Sequence, residues 1–217
     1  MFRQDFERKY GTVVSIDICH PCGALWFDKW EDLALTPGAV LRLFVVINDN
    51  RPAARNPLGT NLACPLCRAR LVLTTDMQRS TRFQYWRCPA EHGHFITFFE
   101  FLREKNFIRP LSMAEVDALK QNVGHVTCSS CGAPVDLNAG AACPYCRAPL
   151  SMLDARQVDA VVQELKREEA RREEAGHGAV DPAIPARLAP VSFEASGSGG
   201  LVEAGVAALV DFLKRAG

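Results

Sequence analysis

Eight of the nine cysteines of this 217-residue chain fall into four CxxC pairs, Cys19/Cys22, Cys64/Cys67, Cys128/Cys131 and Cys143/Cys146, and the ninth, Cys88, is followed after three residues by His92. Two thiolates three residues apart can hold one metal ion from a single tight turn, and two such turns complete a tetrahedron. A chain built this way is expected to fold as several small metal-stapled pieces, because bound zinc supplies folding free energy that a small core lacks.

The Cys128-x2-Cys131-x11-Cys143-x2-Cys146 set offers four soft thiolates, with Gly132 and Pro144 suited to its turns. It reads as a structural zinc site, with an iron–sulfur centre or free thiols as the other readings. Four protein ligands leave no coordination position for a substrate. The Cys64-x2-Cys67-x20-Cys88-x3-His92 set has a spacer of hairpin length and reads as a CCCH zinc site. His94 competes with His92 for the fourth place, and His92 is favoured because Gly93 lets the backbone turn back toward the metal. Two structural zinc ions are therefore expected. A third requires that Cys19-His20-Pro21-Cys22 be completed from elsewhere, by another chain, by His20, His94 or His125, or by residues outside this sequence. The other readings of that pair are a degenerate motif that binds nothing and a redox pair. The redox reading lacks a βαβ scaffold, since only 18 residues precede Cys19.

Formal net charge is zero, which argues against a uniformly basic chain, yet residues 51–109 hold ten Arg and Lys against four Asp and Glu, a net of +6. The N-terminal MFRQDFERKYG mixes both signs of charge and reads as neither a signal peptide nor an anchor. The apolar stretch 201–213 contains Glu203 and Asp211 and is too short to cross a bilayer. A cytoplasmic location without membrane contact is expected, where paired thiols bind metal more often than they form disulfides.

The fold class expected is α+β, a small multi-zinc-ribbon protein of short hairpins and metal turns joined by helices. Residues 12–18 read as a strand delivering Cys19, Asp28 to Leu35 as a short helix, and AVLRLFVVIN as a helix capped by Thr36 with Pro37 in its first turn. These make a first unit over 1–49, and the Pro, Gly and Asn content of 50–62 makes a linker. Residues 63–125 read as the CCCH ribbon: a hairpin of LVLTT and TRFQYWR, a helix over FFEFLREKNF, and a helix opened by a Ser112/Glu115 capping box. The four-cysteine ribbon follows over 126–153. In the charged helix 154–175, Val158, Val161, Val162 and Leu165 share one face, and Glu168 and Arg172 lie at helical spacing. A flexible linker spans 176–200, and 201–217 reads as an amphipathic terminal helix.

The basic segment allows a nucleic-acid reading. Arg79, Arg82 and Arg87 beside Phe83 and Tyr85 would form a stacking platform for single strands. The opposing reading packs Phe83 and Tyr85 beneath the following helix, and it is favoured because a small ribbon needs every aromatic for its core. Trp26 and Trp30, four apart, read as a packing pair, and Asp28, Glu31 and Asp32 as helix-start carboxylates offsetting the dipole. No Ser/His/Asp pattern, glycine-rich phosphate loop or HExxH occurs, so no enzyme is expected.

The stretch IDICHPCGALWFDKWEDL, through Cys19, Cys22, Gly23, Trp26, Asp28, Glu31 and Leu33, resembles the second half of the bacterial transcription-factor-IIB-type zinc ribbon, and the resemblance covers about residues 1–36. That family carries another CxxC a short distance upstream, which this sequence lacks. MFRQDFERKYG resembles the piece that follows that pair, and the resemblance implies a start codon upstream of Met1. The function expected is a noncatalytic adaptor that binds a protein partner, with nucleic acid as a further partner through 51–109 and a transcription-linked role implied by the resemblance. The alternative is a thiol- or metal-dependent redox sensor or enzyme using Cys19 and Cys22. Oligomeric state is left open, with a metal-bridged dimer one outcome of a half-site.

Overall fold

Val14, Ile16 and Ile18 alternate with Ser15 and Asp17, and a strand uses that alternation by burying the aliphatic set and leaving the others half-exposed. The computed structural model describes residues 1–8, 12–50, 58, 61–79, 81–174, 201–202, 206–207 and 209–211. The expectations for 51–57 and 176–200, and for the side chains of Leu165, Glu168 and Arg172, lie outside the described residues. The chain divides into two compact units, Met1–Lys105 and Asn106–Gly217, and both mix strands with helices.

The first unit contains β1 (Phe2–Glu7), β2 (Val13–Cys19), β3 (Ala24–Asp28), α1 (Glu31–Ala34), α2 (Pro37–Asp49), β4 (Val72–Gln78), β5 (Thr81–Arg87), β6 (Gly93–Thr97) and α3 (Phe98–Glu104). Its strands form one six-stranded antiparallel sheet in the order β1-β2-β3-β6-β5-β4. The strands on the two sides of 50–62, which reads as a linker from its composition, belong to this one sheet. The reason lies in β3: Ala24, Leu25, Trp26 and Phe27 are all buried, on both faces of the strand. Burial on both faces is typical of a strand inside a sheet, and β6 pairs with the edge of β3 that β2 leaves open.

The sheet is a three-stranded meander used twice. Shifting the sequence by 69 residues carries Cys19 onto Cys88 and the pair Asp17↔Trp26 onto Trp86↔Phe95. The seam between the meanders has matching symmetry, since Ala24↔Thr97 and Gly93↔Asp28 flank a central Trp26↔Phe95. Each meander is followed by a helix, α1 in one case and α3 in the other.

Helix starts follow the sequence signals. Thr36 Oγ1 accepts the Ala39 N–H at 3.1 Å, and Pro37 opens α2 as read, which buries Val40, Leu43, Phe44 and Ile47. The helix expected over Asp28 to Leu35 shrinks to the four residues of α1, because Asp28 still belongs to β3. In α3, capped by Thr97, the side chains of Phe98, Phe99, Phe101 and Leu102 are core. Glu100 is buried among them and accepts the Gln84 N–H of β5 at 2.9 Å. Trp26 and Trp30 are not a packing pair. Trp26 is buried and donates its indole N–H to Asp28, whereas Trp30 is exposed, in the left-handed region at φ 70°, with the Lys29 ammonium over its ring.

The second unit contains β7 (Ile108–Pro110), α4 (Met113–Asn122), β8 (His125–Thr127), β9 (Pro134–Asp136), β10 (Ser151–Leu153) and α5 (Ala155–Glu174). β8 pairs with β9, and β7 with β10, so the stretch before α4 and the stretch after the last CxxC share one ladder. The capping box of α4 is complete, and Arg109 adds a two-pronged ion pair to Glu115 at 2.6 and 2.9 Å. The Arg109 guanidinium and the Ser112 donors hold the Glu115 carboxyl down at about 2. Val158, Val161 and Val162 are buried along α5, as their spacing implied.

The described residues of the terminal segment are helical, and Val202, Val206, Leu209 and Val210 are buried. The Val202 N–H donates to Ser129 Oγ at 3.4 Å, inside the first CxxC of the four-cysteine set. Burial of an aliphatic side chain stabilises by about 1.5–3 kcal/mol before ordering costs, and about 1 kcal/mol moves the midpoint of a small domain by about 4–8 °C. Deleting 176–217 is expected to leave bound zinc unchanged while lowering the melting temperature of the second unit by more than about 5 °C. Native mass spectrometry and a thermal melt test this, and an unchanged melt would show that the segment adds no stability.

Candidate metal centres

Three of the four CxxC turns share one pattern of backbone hydrogen bonds. In three of the CxxC pairs the first cysteine donates its N–H to an alanine five residues on, Cys64 to Ala69, Cys128 to Ala133 and Cys143 to Ala148, at 2.8–2.9 Å. In each, the residue after the second cysteine donates back to the first cysteine's carbonyl: Arg68 to Cys64, Gly132 to Cys128 and Arg147 to Cys143. That residue has a left-handed backbone, φ 63° at Arg68, 79° at Gly132 and 59° at Arg147. Arginine adopts this conformation reluctantly, and it does so at the same place in two of the three turns. The turn directs amides at sulfur: those of Ser130 and Cys131 at Cys128, Ala133 at Cys131, Tyr145 and Cys146 at Cys143, and Ala69 at Cys67.

Two groups of four ligand atoms result, Cys64/Cys67/Cys88/His92 in the first unit and Cys128/Cys131/Cys143/Cys146 in the second, each with all four atoms within 4.8 Å of one another. Zinc–ligand bonds of about 2.3 Å to sulfur and about 2.0–2.1 Å to nitrogen place tetrahedral ligands about 3.8 Å (S···S) and about 3.5 Å (S···N) apart. Cys128···Cys146 and Cys131···Cys143 are both 3.7 Å, Cys67···Cys88 is 3.5 Å, and His92 Nδ1 lies 3.7 Å from Cys64 Sγ and 3.6 Å from Cys88 Sγ. The edges fit a dication at each centre. Both groups could hold a metal ion, and their thiolate-rich donor sets suit zinc.

His92 rather than His94 joins the first group. His94 is packed away from it, stacked on Phe27 at 5.5 Å and edge-on to Tyr85 at 5.2 Å, and burial lowers the pKa of its imidazole. The thiols are electrostatically uneven. Burial raises Cys88, but the amides of His92 and Ala90 and the sulfurs of Cys67 and Cys64 outweigh it, leaving this thiol at about 6. Cys143 settles at about 7 by the same balance, with the amides of Cys146 and Tyr145. Burial pushes Cys128 and Cys131 the other way. Cys88 and Cys143 thus form thiolates more readily than Cys128 and Cys131, whose thiols a bound cation would have to bring down.

The Cys19/Cys22 turn stands apart. Cys22 is hydrogen-bonded to Cys19, and burial pushes its thiol up to about 12. Among the described residues, no third His, Cys, Asp or Glu completes a ligand group with these two. His20 packs against Phe2, with ring centroids 5.9 Å apart.

The stacking platform is only half present. Phe83 is buried and stacks on Tyr85 at 5.8 Å, on the strand whose Gln84 amide is accepted by Glu100 of α3. Arg79, Arg82 and Arg87 are exposed. Phe83 thus offers no free face to a base, in line with the core reading. Missed by the sequence reading is the six-residue unit common to all four CxxC turns, Cys-x-x-Cys-[Gly/Arg]-Ala, over 19–24, 64–69, 128–133 and 143–148. The constant alanine was the available signal.

The fold and its two ligand groups define a mixed α+β protein with metal-binding capacity in each unit. No protein-family model, curated protein or solved structure matches the chain. No helix among the described residues is long and apolar enough to cross a membrane.

Proposed function

We propose that the chain is a noncatalytic zinc protein of reducing, cytoplasmic surroundings, in which two structural zinc ions hold rigid ribbon-like units that bind a protein partner. The observation that carries this is closure: each group presents four protein ligands at tetrahedral spacing, which fills the coordination sphere and leaves no place for water or substrate. The resemblance of 1–36 to transcription-factor-IIB-type ribbons supports a transcription-linked setting. Exposed Arg79, Arg82 and Arg87 support nucleic-acid contact through phosphates alone, sensitive to salt and indifferent to sequence.

Zinc content of the purified chain tests the core of this reading. The expected result is one zinc lost on Cys64→Ala and another on Cys143→Ala. Protein that purifies folded without metal would overturn it.

A further inference from the structure

Outside the two groups, one pair of ligating side chains sits on a turn of the same construction. We propose that Cys19 and Cys22 form a third metal turn, half of a tetrahedral zinc site whose other two thiolates are the same cysteines of a second copy of the chain. The inference rests on the zinc reading of the CxxC turns given above and extends it to a site that neither unit completes.

The backbone carries the argument. Cys19-His20-Pro21-Cys22-Gly23-Ala24 repeats the Cys-x-x-Cys-[Gly/Arg]-Ala unit of the three turns that belong to ligand groups. Gly23 has φ 61°, matching Arg68, Gly132 and Arg147 at the same position. Cys19 faces Ala24 across the ladder, as the first cysteine faces its alanine in the other three. The Ala24 amide is directed at Cys22, as that of Ala69 is at Cys67 and that of Ala133 at Cys131. One bond differs, since the Gly23 N–H goes to the His20 carbonyl at 3.3 Å rather than to that of the first cysteine. The meander repeat agrees in part: the 69-residue shift lays Cys19 on Cys88, a ligand of the CCCH group, while Cys22 falls on Glu91, beside the ligand His92.

Two thiolates leave half a tetrahedron empty, and no further ligand lies in reach among the described residues. Two CxxC turns facing across a two-fold axis supply four thiolates with the required symmetry, each copy giving what it receives. The rim suits such a contact. Phe2, opposite Ile18 in the ladder and beside His20, is 56% exposed. This apolar side chain would be covered when the copies meet, shielding the zinc from water.

Native mass spectrometry of the full chain, with a Cys19→Ser/Cys22→Ser variant alongside, tests this. The expected result is a wild-type dimer carrying five zinc ions and a variant monomer carrying two. A wild-type monomer with two zinc ions would overturn the third site while leaving the adaptor reading intact, and three zinc ions on a monomer would overturn completion by a second copy. A variant that stays dimeric with unchanged zinc would also overturn it, whereas wild-type protein without zinc would overturn the underlying zinc reading instead.

Discussion

Replacing Cys143 with alanine is expected to remove one zinc ion and unfold the 124–150 region, while the Cys64/Cys67/Cys88/His92 group keeps its metal. The core around the four-cysteine group consists of Cys128, Val135, Leu137, Cys143 and Leu150, flanked by Leu111, Leu119, Val126 and Ala133. Two of its five buried members are ligands, and its β8–β9 ladder is a single pair of three-residue strands. A core of that size does not offset the ordering entropy of the whole 124–150 stretch, at about 1–2 kcal/mol per residue for the backbone. Structural zinc contributes about 10–16 kcal/mol in small domains, so its loss outweighs every other interaction in the region. Hydrogen exchange read by peptide, with zinc counted on the same sample, is the measurement. Amides of β8 and β9 are expected to exchange at the rate of an unfolded chain, and retained protection there without metal would show that side-chain packing alone holds the fold. A chelator should reproduce the result on the wild type.

The ligand groups were legible in the sequence because metal chemistry is local. A CxxC spacing fixes a turn, and the lengths between turns fix which can meet, so Cys128 to Cys146 could be read without knowing any other contact. Helix caps were legible for the same reason: Thr36 and Ser112 act within three residues of themselves. The sheet was not legible. Its seam joins β3 to β6 across a long stretch of chain, and ALWFD, buried on both faces, lacks the period-two signal of a half-buried strand. β1 hid behind its charges, since Arg3, Asp5 and Glu7 lie on a sheet-edge strand whose one fully buried side chain is Phe6. His92 against His94 was decided by the strand that begins at Gly93: residues within β6 belong to the sheet, and the residue just before it is free to turn toward the sulfurs.

That same glycine sets the second large expected effect. Alanine at Gly93 is expected to destabilise the first unit by about 3 kcal/mol or more, in the range of severe overpacking, and to lower its melting temperature by more than about 10 °C. A β-carbon there would stand 2.2 Å from the Phe27 carbonyl oxygen, 2.9 Å from Asp28 Cα and 3.0 Å from the Trp26 ring. Two of those three atoms are backbone of β3, which is held between β2 and β6 and cannot retreat without breaking one ladder. The neighbouring peptide is committed as well, with the Cys88 N–H donating to Gly93 O at 2.9 Å and the Lys29 N–H to His92 O at 3.1 Å. Relief of the clash would shift His92 and pull one ligand from the CCCH group, so zinc affinity there is expected to fall along with stability. Gly124→Ala is the control, because a β-carbon at Gly124 meets nothing within 4 Å. If Gly93→Ala melts like Gly124→Ala and holds its zinc as tightly as the wild type, then β3 and β6 do not pair in the register described, and the six-stranded sheet falls with them.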